Sequence, residues 1–298
     1  MESFAYLKPV DVHGVASCIG AQNVRCYGAP MVLQGLGLSN VLANVGWQAN
    51  WSKTILLEED AGTEHNKYTA IHDICEQLSQ VVIRSVENET PFITVGGDHS
   101  CAIGTWSGAA KAIKDEGSLG LIWIDAHMDA HTPNTSHSGA IHGMPVASLL
   151  GQGASELTDI CYKGTKIQPR DLCLIGIRSY EPEEKALLER LGVKVFYAED
   201  VDVNSLEETF QQALTHVKGN TYAYGISLDL DAIDPVQAPG VGSPASNGID
   251  ANVLLDIFAK HELSKEFLGF ELVELNSFED KDDKTAELAL KLIEALFE

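Results

Sequence analysis

The sequence predicts an α/β protein, a three-layer α/β/α sandwich around a central, mostly parallel sheet. Short, almost wholly apolar runs alternate with longer segments in which apolar residues recur at helical spacing. Continuous apolar runs are typical of strands buried on both faces, and the helices between parallel strands cover those faces. Several of the apolar runs also end in clusters of acidic residues and histidine, where such sheets bind their ligands.

The elements follow one another without a repeat or a linker. The first clear helix is 66–86, because Ile71, Ile74 and Leu78 recur at helical spacing. Further along the chain, Pro182 marks the start of another helix, since proline suits the first helical turn. The predicted helices are 66–86, 101–114, 182–191, 206–216, 252–260 and 285–297, and the predicted strands are 92–95, 119–125, 172–177, 193–197, 222–229 and 268–275.

Three short acidic segments each follow an apolar run. They read Gly-Gly-Asp-His-Ser at 96–100, Asp-Ala-His-Met-Asp at 125–129 and Ser-Leu-Asp-Leu-Asp-Ala-Ile-Asp-Pro at 227–235. Residues two apart in an extended chain point the same way, and the carboxyl ends of parallel strands meet at one edge of the sheet. Two imidazoles and four carboxylates are therefore expected to converge, those of His99, Asp125, His127, Asp129, Asp229 and Asp231.

Such a cluster favours a pair of metal ions. Converging carboxylates repel one another and are costly to desolvate unless cations lie between them. A single aspartate at a strand end is usually a helix cap, but three such segments in one chain indicate a dinuclear site, with room for a bridging hydroxide. Because the ligands are rich in oxygen and include no thiolate, Mn²⁺ suits them better than Zn²⁺ or copper. The sequence predicts two manganese ions per chain.

The composition argues against several functional classes. A formal charge of −23 disfavours a nucleic-acid partner, because phosphates need patches of lysine and arginine. The same charge is compatible with a small cationic substrate drawn into an acidic cleft. No stretch approaches the roughly 18 uninterrupted apolar residues of a membrane span, and residues 1–10 lack the apolar core of a signal peptide. A cytoplasmic protein with a single domain, 1–298, and no membrane partner is expected.

The six cysteines are scattered and show neither a Cys-x-x-Cys pair nor zinc-like spacing. This pattern favours a reducing compartment. Cys18 and Cys26 are close enough in sequence to form a disulfide across a loop. Free thiols are nevertheless the expectation for both, because disulfides rarely persist in a reducing compartment.

The acidic segments resemble the signatures of the ureohydrolases, the family of arginase and agmatinase. The likeness extends to Ser-Gly-Ala-Ile-His-Gly-Met-Pro at 138–145, similar to the SGNxHGxP stretch of arginases. It also covers Glu-Leu-Val-Glu-Leu-Asn at 271–276, similar to a family segment that begins with aspartate, D-[LIV]-V-E-x-N. Together with the C-terminal Lys-Thr-Ala-Glu-Leu-Ala-Leu-Lys-Leu-Ile, the resemblance spans most of the chain. It implies the same sandwich fold, a hydrolytic enzyme and assembly into homotrimers or homohexamers.

The resemblance also bears on three catalytic residues. His142 matches a proton-shuttling histidine that does not bind metal, and histidine titrates in the range needed to protonate a leaving amine. Glu274 suits a guanidinium group, because a carboxylate and a guanidinium pair through two parallel hydrogen bonds. Asp129 would hold metal and accept a hydrogen bond from the nucleophile. The expected reaction is attack of a hydroxide, shared by two Mn²⁺ ions, on a guanidinium carbon, which releases urea and an amine.

The long polar loop 130–143 is expected to recognise the substrate. The matching stretch of arginases holds the α-carboxylate and α-amino groups of arginine. Here His131 and Ala140 stand where arginases have asparagine, and Ser179 stands in place of an acid. The residues expected to contact the substrate are Glu274, His131, Ser136, Ser138, Glu181, Glu184 and Ser243.

The leading interpretation is an arginase, which converts L-arginine into L-ornithine and urea. The nearest alternative is a related amidinohydrolase that acts on agmatine, guanidinobutyrate or another guanidino compound. A deacetylase-like metal hydrolase is less favoured, because six ligands imply two metals and Glu274 suits guanidinium. A non-enzymatic binding protein is also less favoured, because neither a ligand nor His142 is missing.

Overall fold

The computed structural model describes residues 7–22, 25–56, 64–201 and 206–298, in which nine strands form one sheet. The strands are β1 (Lys8–Ala16), β2 (Trp47–Trp51), β3 (Ile55–Leu56), β4 (Phe92–Val95), β5 (Leu119–Ile124), β6 (Leu172–Ile177), β7 (Lys194–Tyr197), β8 (Ala223–Asp229) and β9 (Phe267–Val273). Their order is β2-β1-β4-β9-β8-β5-β6-β7, with β3 paired to β1. All of these pairings are parallel, as predicted.

Helices cover both faces of this sheet. They are α1 (Ala29–Gly35), α2 (Leu38–Asn44), α3 (Glu64–Glu87), α4 (Ala102–Ala112), α5 (Pro145–Leu149), α6 (Ser155–Thr158), α7 (Pro182–Leu191), α8 (Leu206–Lys218), α9 (Ala251–Lys260) and α10 (Lys284–Phe297). Helices α1, α2, α8, α9 and α10 share one core with Ile122 and Ile124 of β5. Helices α3, α4, α5 and α7 share the other core with Leu121 and Trp123. Because alternate strand residues point to opposite faces, this arrangement confirms the three-layer sandwich.

The predicted elements differ from the observed ones mainly at their ends. Strands β4 and β6 have the predicted bounds, and helix α4 is shorter than the predicted 101–114. The strand predicted at 268–275 ends at Val273 instead. The reason is local: Glu274 adopts a left-handed backbone with φ 65°, which cannot continue an extended strand.

The first 56 residues hold elements that the sequence patterns do not predict. Polar Asp11 and His13 interrupt the apolar pattern of β1, although this strand lies inside the sheet. The ring nitrogens of His13 lie 2.9 Å from the hydroxyl of Ser85 and 3.1 Å from that of Ser52. Ser85 in turn donates a hydrogen bond to Asp11 over 2.7 Å. These hydrogen bonds allow polar side chains in an interior strand, because buried polar groups are tolerated when they are paired.

The expectation of free thiols at Cys18 and Cys26 is wrong. The structure joins the two cysteines in a disulfide, with their Cα atoms 5.7 Å apart. This separation lies within the usual range for disulfides, roughly 4.4–6.8 Å. The expectation rested on the redox compartment, which says nothing about how a loop brings two side chains together. Since disulfides are rare in reducing compartments, the bond does not support a cytoplasmic location.

The described residues contain no helix that is long and apolar enough to cross a bilayer. Residues 1–6, on which part of the signal-peptide expectation rests, lie outside the described residues. The cytoplasmic location therefore stays a prediction from the sequence.

Candidate metal centre

Four neighbouring strands supply the candidate centre from their carboxyl ends. In the order β4-β9-β8-β5, His99 follows β4, Glu274 follows β9, Asp229 ends β8 and Asp125 follows β5. Because the strands are parallel and adjacent, these side chains meet at one edge of the sheet, where open α/β sheets bind their ligands. Gly97 permits this approach, since a Cβ atom there would overlap the carbonyl oxygen of Ser17.

The first group of candidate ligands surrounds the imidazole of His99. Its Nδ1 atom lies 3.2 Å from a carboxylate oxygen of each of Asp125, Asp129 and Asp229. All four side chains are buried. Although it is enclosed in this way, Nδ1 makes no hydrogen bond of good geometry within the described part of the chain.

Three carboxylates around one imidazole nitrogen need a positive charge between them. Burial alone would lower the pKa of His99, but the three aspartates close to Nδ1 raise it well above its usual value. In the metal-free protein a proton on Nδ1 supplies the charge, and a bound dication would displace that proton. The first group of ligands fits a metal ion, because His99 Nδ1 and three aspartate oxygens converge on one point. Among the described residues Nδ1 has no other partner.

A second group of ligands lies beside the first. Nδ1 of His127 is 3.1 Å from Asp231 Oδ2 and 3.5 Å from Asp125 Oδ1. Asp125 directs its other oxygen, Oδ2, towards His99. One carboxylate is therefore shared between the two groups, so Asp125 could serve as a ligand in both.

Backbone and side-chain donors fix the orientation of these carboxylates. Asp125 accepts hydrogen bonds from Trp123 Nε1 over 2.9 Å and from the amide of His127 over 2.7 Å. Asp229 accepts from the amide of Asp231 over 2.8 Å. Since these donors hold Asp125 and Asp229 in place, the two carboxylates need little reorganisation to bind a metal.

Arg178 holds the backbone that carries Asp231. Its guanidinium group donates hydrogen bonds of 2.7–3.1 Å to five carbonyl oxygens, those of Gly176, Asp231, Ala232, Ala245 and Ser246. These carbonyls belong to the end of β6, to the ligand segment after β8 and to a loop near the cavity. The arginine therefore fixes three separate segments of the chain to one another.

Replacing Arg178 by methionine should lower the free energy of unfolding by roughly 2–3 kcal/mol, since five carbonyls lose a charged donor. Urea denaturation of the metal-free protein measures this loss. The matched variant Arg190→Met removes an exposed side chain at the end of α7, and it should change stability by about 0.5 kcal/mol or less. Equal effects of the two substitutions would show that the five hydrogen bonds contribute nothing.

Glu274 and His142 form a pair beside the ligand groups. Glu274 Oε1 accepts a hydrogen bond from the amide of His99 over 3.0 Å and from His142 Nδ1 over 2.9 Å. Burial by itself would lower the pKa of His142, but the hydrogen bond and charge of Glu274 raise it to about 9. The second oxygen, Oε2, is buried and has no hydrogen-bond partner among the described residues. His142 is therefore protonated at neutral pH, and one carboxylate oxygen is left free to bind another donor.

An open cavity of about 240 Å³ gives access to the ligand groups. Its volume is enough for a small organic molecule. His99, Asp125 and Glu274 are buried and do not line the cavity. The other residues predicted for the site do line it, namely His127, Asp129, His131, Ser136, Ser138, His142, Glu181, Glu184, Asp229, Asp231 and Ser243.

The outer part of the cavity carries a histidine and two glutamates. His131 Nε2 lies 3.0 Å from Glu181 and 3.4 Å from Glu184, while Nδ1 lies 3.1 Å from the hydroxyl of Thr135. Burial raises the pKa of Glu184 to about 8. Both oxygens of this carboxylate also accept backbone amides, those of Ala130 and Glu181. The glutamates cap the start of α7, so the helix fixes their positions.

Three residues that contact the site are missing from the sequence prediction: Ser227, Arg178 and Glu271. Glu271 is the one with a signal, because it is a single acid within the otherwise apolar strand β9. An acid at such a position needs buried hydrogen-bond donors. Ser227 and Arg178 give no comparable signal, since a serine or an arginine at a strand end is common on any surface.

Comparisons with known proteins agree over nearly the whole length. Residues 38–298 match the sequence model of the Arginase family. The chain is 32% identical to an arginase of Bacillus caldovelox, over 98% of each chain. It is 33% identical to an arginase of Brevibacillus brevis, over 97% of this chain and 98% of the relative. The fold is similar to the crystal structure of arginase from Bacillus subtilis, with a TM-score of 0.89, 30% identity and coverage of 97% and 98%.

Proposed function

Since the chain belongs to the arginase family, we propose that it hydrolyses L-arginine to L-ornithine and urea. The observation that carries this proposal is the free oxygen of Glu274, a buried acceptor beside two groups of metal ligands. A guanidinium group offers the donors that such an oxygen lacks. The enzyme is an amidinohydrolase, and its site residues favour a particular cofactor, mechanism and substrate.

The proposed cofactor is a pair of Mn²⁺ ions. His99, Asp125, Asp129 and Asp229 would hold one ion, and His127, Asp231 and the shared Asp125 would hold the other. When bound, the two ions would supply a hydroxide near neutral pH by lowering the pKa of water. Assembly into homotrimers or homohexamers and a cytoplasmic location stay predictions, and they carry no part of this proposal.

Glu274 would orient the guanidinium group for attack. Its Oε1 atom is already taken by His142 and by a backbone amide, so Oε2 is the oxygen available to the substrate. The neighbouring Gly242 leaves space beside this oxygen, because a Cβ atom there would lie 2.7 Å from it. A guanidinium bound in this way would donate to an oxygen that otherwise has no hydrogen-bond partner among the described residues.

His142 would return a proton to the leaving amine. Its ring lines the cavity while Nδ1 is held by Glu274, so Nε2 is the nitrogen left to exchange protons. The charge of Glu274 keeps the imidazole protonated at neutral pH, with a pKa of about 9. A general acid should be protonated at the working pH yet able to give up its proton in the reaction.

The outer part of the cavity would bind the amino-acid end of the substrate. Glu181 would provide negative charge for the α-ammonium group, and Glu184, with its pKa raised to about 8, would provide a second acceptor. The contacts of His131 to both glutamates would hold them in place. The hydroxyl oxygens of Ser136 and Ser138 accept backbone amides over 3.0 and 3.2 Å, so each hydroxyl proton remains free to donate to the α-carboxylate. Ser243 also lines the cavity, and it follows Gly242, which lies beside Glu274 Oε2.

A urea-release assay with a panel of guanidino compounds tests the substrate. Agmatine lacks the carboxylate and guanidinobutyrate lacks the amino group, so each leaves one set of cavity groups unpaired. A hydrogen bond to a charged group contributes about 1.5–3 kcal/mol. The expected kcat/KM for L-arginine is therefore roughly tenfold or more above that for either analogue.

Two other outcomes have distinct meanings. An equal or higher kcat/KM with agmatine or guanidinobutyrate would overturn L-arginine as the substrate and leave the hydrolysis of guanidino compounds intact. The absence of urea from every compound, with two manganese ions bound, would overturn the proposed reaction itself.

A further inference from the structure

Glu271 is a buried carboxylate that plays no part in the proposed reaction. It lies in β9, is fully buried and does not line the cavity. No arginine or lysine among the described residues forms an ion pair with it. Its oxygens instead accept hydrogen bonds from Thr105 Oγ1 over 2.6 Å, from Trp106 Nε1 over 2.8 Å and from Ser227 Oγ over 2.7 Å.

Ser227 connects this carboxylate to a predicted metal ligand. The serine hydroxyl lies 2.7 Å from Glu271 Oε2 and 3.0 Å from His99 Nε2. A hydroxyl group has one proton to donate, so it can donate to only one of these neighbours at a time. Whether Ser227 donates to Glu271 or to His99 therefore depends on whether Glu271 Oε2 accepts a hydrogen bond from the serine.

The contacts of Oε2 show that it is an acceptor. Trp106 Nε1–H, which can only donate, bonds this same oxygen. Burial raises the pKa of Glu271, but a proton taken up by the carboxyl group would lie on Oε1. The partners of Oε1, Thr105 Oγ1 and Cys101 Sγ, can also accept a hydrogen bond, whereas the Trp106 N–H on Oε2 cannot. Ser227 must then donate to Glu271, and its oxygen accepts a proton from His99 Nε2.

We propose that Glu271 is a positioning residue that acts through Ser227 to keep the proton of His99 on Nε2. The Nδ1 lone pair then points to the place where three aspartate oxygens lie 3.2 Å away. The inference rests on the proposed metal centre, since it explains how that centre receives its imidazole in the correct tautomer. Carboxylate partners of ligating histidines set the tautomer in this way in many metal sites.

The identity of the acid matters as well as its charge. The resembling family has aspartate where this chain has Glu271, and the longer side chain reaches donors on both α4 and β8. Shortening it by one methylene would stretch hydrogen bonds of 2.6–2.8 Å beyond useful length. Glu271→Asp should therefore lose the hydrogen bond to Ser227 in this protein.

Titration of the metal-free protein with Mn²⁺ against a competing chelator tests the proposal. Ser227→Ala should weaken the binding of one of the two ions by roughly 10–100-fold, the range for removing a partner of a ligating histidine. The other ion, held by the group of His127, should bind as in the unaltered protein. Glu271→Gln keeps an acceptor oxygen beside Trp106 and should weaken the same ion by a smaller factor.

Thr105→Val is the matched control. It removes a hydrogen bond of similar length from Glu271 Oε1 and leaves the contacts of Oε2 intact. Its Mn²⁺ affinities should equal those of the unaltered protein. In the zinc-loaded protein, which is diamagnetic, the Nε2–H signal of His99 should be slow to exchange in the unaltered protein and in Thr105→Val, and should exchange fast in Ser227→Ala.

The outcomes separate this inference from the proposed function. If the unaltered protein binds fewer than two manganese ions, the proposed metal centre fails. If it binds two, and Ser227→Ala and Glu271→Gln both bind them as tightly as Thr105→Val, only the role of Glu271 is overturned.

Discussion

Asp231→Asn is expected to remove one manganese ion and most of the hydrolytic activity. The carboxylate lies 3.1 Å from His127 and is 2% exposed, so it is held within the second group of ligands. An asparagine keeps an oxygen for the amide of Ala126 but loses the charge that offsets a dication. A bound metal contributes several kcal/mol to the transition state, which corresponds to a loss of roughly 10²–10³-fold in kcat/KM.

Elemental analysis after dialysis and a urea assay measure the two effects. The control Asp256→Asn makes the same change of charge on the exposed surface of α9 and should retain both the metal and the activity. A fully active Asp231→Asn enzyme with two manganese ions would show that this carboxylate is not a ligand.

His142→Ala is expected to lower kcat by roughly 10²–10⁴-fold, the usual contribution of a positioned general acid. Its metal content should stay unchanged, because the nearest partner of the ring is Glu274 and not a ligand. Small imidazole buffers should restore part of the rate. His216→Ala, an exposed histidine on α8, is the control and should be as active as the unaltered enzyme.

The pH profile gives an independent check of the same role. A raised pKa means that His142 is protonated below a pH of about 9 and loses its proton above it. If the protonated ring is the active form, kcat/KM should decline above that pH. Glu274→Gln removes the charge that raises the pKa, so the decline should move to lower pH. A decline at an unchanged pH would mean that another group controls it.

The local sequence determined most of the strands and helices after residue 64. An apolar run of four to six residues is long enough for a buried strand and too short for a typical helix, and β4, β5 and β6 fall where the pattern places them. The spacing of Asp125, His127 and Asp129 follows equally from the geometry of an extended chain. These features depend on neighbours in the sequence, so the sequence is enough to predict them.

Other features depend on the order of the strands. Glu274 and His142 are 132 positions apart, and His99 and Ser227 are 128 apart. These pairs meet only because β4, β9, β8 and β5 are adjacent in the sheet. No local pattern specifies that adjacency, so the free oxygen of Glu274 and the direction of the Ser227 hydrogen bond emerge only in the folded protein.

In the N-terminal region, too, the contacts between distant residues could not be predicted from local sequence patterns. The pattern of β1 is broken by Asp11 and His13, whose partners Ser52 and Ser85 lie up to 74 positions away. The disulfide of Cys18 and Cys26 likewise depends on how a loop folds and not on the number of residues between them. By itself the sequence determined which residues can serve as strands and ligands. The tertiary structure decided which of them are paired, because pairing is a property of distances that the chain acquires only on folding.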